Sequence, residues 1–205
     1  MTDRPICRRA KVQRLIADGK IDMLPTGPVE GRLSVRPSGN VAVVVSMRHL
    51  LCQAAESMSE PLVFQFAYAS SLNASRVDDP MEMLREIVDA SCRNNARSGI
   101  TGYLIFDGSA FVQILEGDQL SVLATYVRIE RDPRHRDVTI IGSQHVAKRR
   151  FGSWGMDGYL RSLQQDHIFR DHGFVGQMDW TKLSISAAVE LASALQCVHT
   201  ISRPS

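Results

Sequence analysis

An α+β sandwich is predicted for the middle of this 205-residue chain, on three observations. Apolar residues alternate with period two at 62–69, 100–106 and 109–116, as half-buried strands require. Apolar stripes of helical period follow the first and third of these segments. Cap, turn and breaker residues stand where such elements begin and end.

In the first strand, Leu62, Phe64, Phe66 and Tyr68 share one face. The next segment opens with Asp79 as cap, Pro80 at the first helical position and Glu82 three residues after the cap. Leu84, Ile87 and Val88 form its inward stripe. The strands 100–106 and 109–116 are joined by Asp107-Gly108, a two-residue hairpin signal. That turn sets a register in which Leu104 faces Phe111, Gly102 faces Gln113 and Ile100 faces Leu115. A second helix, 118–130, uses Leu120, Leu123 and Val127, and strands at 138–146 and 155–160 complete the order βαββαββ. With right-handed crossovers this order gives a ferredoxin-like sheet with two helices on one face. The other face carries Val63, Ala67, Tyr103, Ile105, Val112 and Ile114, and needs cover. Ile185, Ala188, Val189, Ala192 and Leu195 recur at helical spacing, so a C-terminal helix is expected on or near that face, or at a dimer contact.

Three zones result. Residues 1–60 are a poorly patterned extension, expected to be partly disordered, with Pro25, Gly27, Pro28, Gly31, Pro37 and Gly39. Residues 61–161 form the patterned domain, and 162–205 a helical C-terminal extension. Met58, just ahead of the first strand, is a second candidate start. A net charge of +2 and a pI near 8.4 argue against a wide nucleic-acid surface. No apolar run approaches the roughly 20 residues that span a bilayer, and no apolar segment backs the basic start as a signal peptide needs. Cys7, Cys52, Cys92 and Cys197 are scattered, which suggests neither a zinc ribbon nor a disulfide framework and fits a reducing compartment. A cytoplasmic protein is therefore expected, with no membrane or nucleic-acid partner. His135, His145, His167 and His172 lack the companions of a metal or catalytic set. Neither a phosphate cradle nor a nucleophile–base pair is present, so no enzyme is expected.

The first helix turns polar at its C-terminal end, where Ser91, Asn94 and Asn95 continue the inward face. Across the layer stand Gln113, between Phe111 and Leu115 on its strand face, and Tyr68. Each buried polar group left unsatisfied costs roughly 1–3 kcal/mol. The space expected over Gly102 favours a ligand that would satisfy them. Two amides and a phenol offer donors and acceptors together, which suits a planar heterocycle with an imide-like edge and suits neither a metal nor a phosphate. The pattern alone also allows Asn94 and Asn95 as helix caps before Gly99, Gln113 as a satisfied core residue and Gly102 as a close-packing site.

The segments Tyr68-Ala-Ser70, Arg93-Asn-Asn95, Gly99-Ile-Thr-Gly102, Phe111-Val-Gln-Ile-Leu-Glu-Gly117, Asp132-Pro-Arg-His135 and Arg150-Phe-Gly-Ser-Trp-Gly-Met156 resemble the BLUF family of blue-light sensors. The resemblance runs over about 62–160 and implies a flavin held between the two helices. It implies FAD, with FMN or riboflavin as alternatives. It implies that Tyr68 and Gln113 take part in photoinduced electron and proton transfer with the flavin, followed by hydrogen-bond rearrangement. Asn94 and Asn95 match positions around the ring's polar end, Ser91 on the same helix face is expected to join them in binding the cofactor, and Arg128, Asp132 and Arg134 match positions near the ring's pyrimidine edge and ribityl side. Trp154 and Met156 match the strand pair implicated in signalling, although Gly155 stands where the family often has serine. Output through a downstream protein partner or a homo-oligomer is expected, by way of the C-terminal zone. A small flavin-dependent reductase and a non-photoactive interaction module are the alternatives.

Overall fold

The computed structural model describes residues 62–152, 155–175 and 179–202, together with Leu15, Ala17 and Ile21. The elements are β1 (Val63–Leu72), α1 (Pro80–Arg97), β2 (Thr101–Phe106), β3 (Ala110–Gly117), α2 (Gln119–Ile129), β4 (His135–Val146), β5 (Asp157–Leu160), α3 (Asp166–Asp171) and α4 (Ile185–Ser202). Sheet order is β4-β1-β3-β2-β5. The first four strands pair antiparallel, and β5 adds to β2 in parallel. This is the expected ferredoxin-like order with a fifth strand at one edge.

Local chemistry explains the element starts. The Asp79 carboxylate accepts from Met81 N at 2.8 Å and Glu82 N at 3.2 Å, and Pro80 follows where a missing N–H costs nothing. Asp118 caps α2 through Ser121 N at 3.0 Å. Helix α1 ends at Ser98, and Gly99 (φ +61°) turns the chain into β2 in a conformation that glycine tolerates best.

The hairpin differs from expectation. Asp107 is the first residue of the turn, not a central one. Its Oδ1 accepts from Ser109 N at 2.9 Å and Ala110 N at 2.8 Å, and its own N–H donates to Ala110 O. Gly108 (φ +93°) and Ser109 therefore occupy the centre. The pairs become Phe106↔Phe111, Leu104↔Gln113 and Gly102↔Leu115. The total slip is two residues, so every side chain keeps its face. Gly102 is no gap over Gln113, because a Cβ there would fall 2.2 Å from Ile114 O. Two apolar assignments also fail: Leu62 lies outside β1 and is exposed, and Leu120 is exposed on α2, whose buried stripe is Val122, Leu123, Tyr126 and Val127.

The sheet separates two cores. On the helix side, Phe64, Phe66, Tyr68, Phe106 and Phe111 pack under α1 and α2, with Leu15 and Ile21 in the same layer. On the far side, Ala67, Tyr103, Ile105, Val112 and Ile114 are covered by Ala188, Leu191, Ala192 and Leu195 of α4 and by Phe169 of α3. The expected C-terminal cover is thus present. Each fully buried large side chain contributes roughly 1.5–3 kcal/mol. The tail is also tied by polar contacts. Trp180 Nε1 donates to Asp107 Oδ2 at 3.3 Å, and Arg161 pairs with Asp166 while lying 4.5 Å over the Phe169 ring.

The chain divides into two compact units, 1–22 with 63–205, and 23–62. The second unit lies outside the described residues except for Leu62, as do the expectations for 1–60 apart from Leu15, Ala17 and Ile21. Among the described residues, no helix is long and apolar enough to cross a membrane.

Candidate functional site

A cavity of about 160 Å³ opens on the helix side of the sheet. Helix α1 lines it with Ile87, Ala90, Ser91, Asn94 and Asn95, which the helical repeat brings onto one face. Strands supply Tyr68, Leu104 and Gln113 as its floor, and α2 supplies Thr125, Arg128 and Ile129. Asp132, Arg134 and His135, from the turn into β4, complete the wall.

The floor is a hydrogen-bonded line. Tyr68 and Gln113 sit opposite each other in the β1–β3 ladder, so their side chains meet on one face. The Tyr68 hydroxyl donates to Gln113 Oε1. Gln113 Nε2 donates onward to Met156 Sδ at 3.3 Å. Burial pushes the Tyr68 phenol well above its ordinary range, with the nearby Tyr126 and Asp132 adding to the effect, so it stays protonated at neutral pH. Tyr126 packs edge-on against it, ring centroids 5.6 Å apart.

Asn95 does two things at the end of α1. Its backbone carbonyl receives Ser98 N and Ile100 N, which closes the helix. Its buried side chain is free of that duty, and Nδ2 donates to Gly155 O at 2.8 Å. Next to it, Cys92 Sγ donates to Met156 O at 3.0 Å. Gly155 makes this close approach feasible, since a Cβ would lie 2.9 Å from Cys92 O and 3.4 Å from Cys92 Cα. Met156 is thereby the side chain beside Gln113. Trp154 lies outside the described residues.

The rim is charged. Arg134 grips Asp132 with Nε to Oδ1 at 2.9 Å and Nη2 to Oδ2 at 2.5 Å, and approaches Glu86 at 3.7 Å. Burial alone would raise the Asp132 carboxyl, but the hydrogen bonds and charge of Arg134 outweigh it and leave it lowered. Arg128 Nη2 donates to Thr125 Oγ1 at 2.9 Å. His135 Nδ1 meets Ser70 Oγ at 2.8 Å, and burial, helped by Arg134 and opposed by Asp132, pulls the ring down to about 4. It is a neutral wall residue.

Tyr68, Ser91, Asn94, Asn95, Gln113, Arg128, Asp132 and Arg134 therefore all line one cavity. Sequence reading missed Ala90, Leu104, Thr125, Ile129 and His135 as wall residues. One signal was available: Thr125 stands one helical turn before Arg128; the contact of His135 with Ser70, which shares the Tyr68 face, shows only in the fold.

The chemistry of this wall fits a flavin ring. Ile87, Leu104 and Ile129 offer hydrocarbon to a flat body, while amides, a hydroxyl and a phenol converge on one side. The acceptor given to Gln113 Nε2 is a thioether, a weak one, so this buried donor has capacity for a stronger partner such as a ring carbonyl.

Residues 63–157 match the BLUF family, described as sensors of blue-light using FAD. These residues form a BLUF domain. The match takes in just under half of the chain. Among curated relatives, the "Blue light- and temperature-regulated antirepressor BluF" of Escherichia coli K12 is 36% identical over 46% of this chain. The "Photoactivated adenylate cyclase subunit beta" of Euglena gracilis is 38% identical over 38% of it. The chain spans only 24% and 9% of those relatives' own lengths. Among solved structures, "BlsA ground state" aligns at TM-score 0.58 and 25% identity, covering 65% of this chain and 87% of that one. "BlrB - a BLUF protein, dark state structure" aligns at 0.56 and 25%, covering 65% and 96%. The BLUF domain thus accounts for α1, α2 and four strands, and its match ends at Asp157, the first residue of β5.

Proposed function

We propose that this protein is a cytoplasmic, non-enzymatic blue-light photoreceptor that binds FAD without a covalent bond. The observation that carries the reading is the Tyr68–Gln113–Met156 hydrogen-bonded line along the floor of a cavity walled by α1 and α2. A bound flavin supplies the absorption of blue light and, when excited, a strong oxidant. Asn94, Asn95, Ser91 and Gln113 would hold its polar end, Ile87, Leu104 and Ile129 its faces, and Arg128, Asp132 and Arg134 its pyrimidine edge and ribityl side.

The protein's own groups then do three things. Tyr68 keeps its proton, because burial disfavours the phenolate, and points it at Gln113 Oε1, the atom placed to receive it. The Gln113 amide presents an acceptor at one end and a donor at the other. Turning it end for end exchanges these, so Tyr68 would face Nε2 and Met156 would lose its donor. The change at Met156 then biases a two-state element, and the readout is a population shift seen by a partner protein or a second copy.

The test is absorption of the purified, flavin-supplemented protein before and after blue light. A shift to longer wavelength that reverses in the dark is expected. Absence of a shift, or bleaching by NAD(P)H in darkness, would overturn the reading, the latter in favour of a reductase.

A further inference from the structure

Met156 is reached from β4 through residues 147–155, and this connection is held at its start by a buried carboxylate. Glu116, at the end of β3, is fully buried. Its Oε1 accepts from Arg150 N at 2.9 Å and Gln65 Nε2 at 2.7 Å, and its Oε2 accepts from Phe151 N at 2.9 Å. Arg149 spans the same corner, donating to Glu116 O at 2.8 Å, Thr101 Oγ1 at 2.9 Å and Gly99 O at 2.6 Å. The Phe151 ring is buried in the far core, stacked on Tyr103 at 5.6 Å. Arg150 Nε donates to Ser193 Oγ of α4 at 2.9 Å. Backbone N–H groups held by a buried carboxylate make strong, charge-assisted bonds.

On the other side of Met156 the chain runs along the edge of the sheet. Strand β5 has four residues and only β2 as its neighbour in the sheet. It leads through Arg161, bonded to Phe106 O at 2.8 Å, into α3 by the Arg161–Asp166 pair.

We infer that Glu116 is a positioning residue which, with Arg149, anchors residues 149–151, so that a displacement of Met156 passes forward into β5 and α3 and not back into β4. Helix α4, tied to the anchor through Ser193, belongs to the fixed frame. The proposed photoreceptor reading is needed only for light as the trigger.

Hydrogen exchange on the flavin-supplemented full chain in the dark tests this without light. Met156→Ala should speed exchange in 157–161 at least fivefold and leave 148–151 and 189–195 within twofold of wild type. Adding Glu116→Gln should bring 148–151 to at least fivefold as well. Arg149→Ala serves the same purpose if Glu116→Gln fails to fold. Gln65→Ala removes a bond to the same carboxylate without touching the connection, and should not extend the effect. The inference is overturned if Met156→Ala alone speeds 148–151 as much as 157–161, or if Gln65→Ala extends the effect as Glu116→Gln does. Illuminated wild type should repeat the Met156→Ala pattern. A wild type without an absorption shift sinks the photoreceptor reading, while the dark comparison still decides the anchor.

Discussion

The two faces of the sheet come from the same strands, yet they solve opposite problems. The helix-side face is large and aromatic at one end and polar at the other, where Tyr68, Asn95 and Gln113 border a cavity. The far face is apolar over Ala67, Tyr103, Ile105, Val112 and Ile114, where small Ala188 and Ala192 let α4 come near, and at one end carries buried Gln65 and Glu116, which bond each other. The polar groups show the same division. On the helix side Tyr68 and Gln113 are linked to each other and to Met156, with donor capacity left over. On the far side the one buried hydroxyl without a partner among the described residues is Tyr103 Oη, whose ring packs against Phe151. One face is arranged around a guest, the other around itself.

The sharpest break in that comparison is chemical. Tyr68→Phe and Gln113→Leu should each retain flavin and abolish the normal reversible absorption shift, read by illuminated spectra. A normal shift in either variant would remove the line from the mechanism. Next comes a matched pair, Leu104→Ala on the cavity floor and Leu191→Ala under α4. Both are buried, and each should cost about 2–5 kcal/mol by urea denaturation. Only Leu104→Ala should also weaken flavin retention on a desalting column; equal flavin loss from both would erase the division between faces.

A smaller effect concerns pH. The folded-state value of His135 is depressed from 6.5 to about 4, mainly by burial, so the native state holds the ring neutral. The unfolded chain takes up that proton first as pH falls. Stability from this group is complete above about 6.5 and drains away toward about 4. A melting temperature measured across that window should fall less steeply in His135→Gln than in wild type. The smallest change is Asp79→Ala, which removes the α1 cap for about 1 kcal/mol. It should leave the spectrum untouched, because the site lies at the opposite end of the helix.

Much of this was legible in the residues themselves. Asp79-Pro80 and Asp118 announce their helices, and alternation assigned Phe64, Phe66 and Tyr68 to the helix side correctly. The polar end of α1, Ser91, Asn94 and Asn95, marks one wall of the cavity in the sequence itself. The hairpin register was not legible, because Asp-Gly suits two turn positions and only the Asp107 side-chain bonds to Ser109 N and Ala110 N choose between them. Met156 beside Gln113 was not legible either. That contact joins residues 43 apart in sequence and depends on Gly155 lying against α1.

The Trp180–Asp107 contact bears on how this domain can be moved. Asp107 closes the β2–β3 turn with one carboxylate oxygen and receives the tail with the other. A chimera cut where the family match ends, at Asp157, would carry the cavity but leave Ala67, Ile105, Val112 and Ile114 facing water. Such an apolar patch invites aggregation. The portable unit therefore extends through Leu195, and a fusion joint belongs beyond α4.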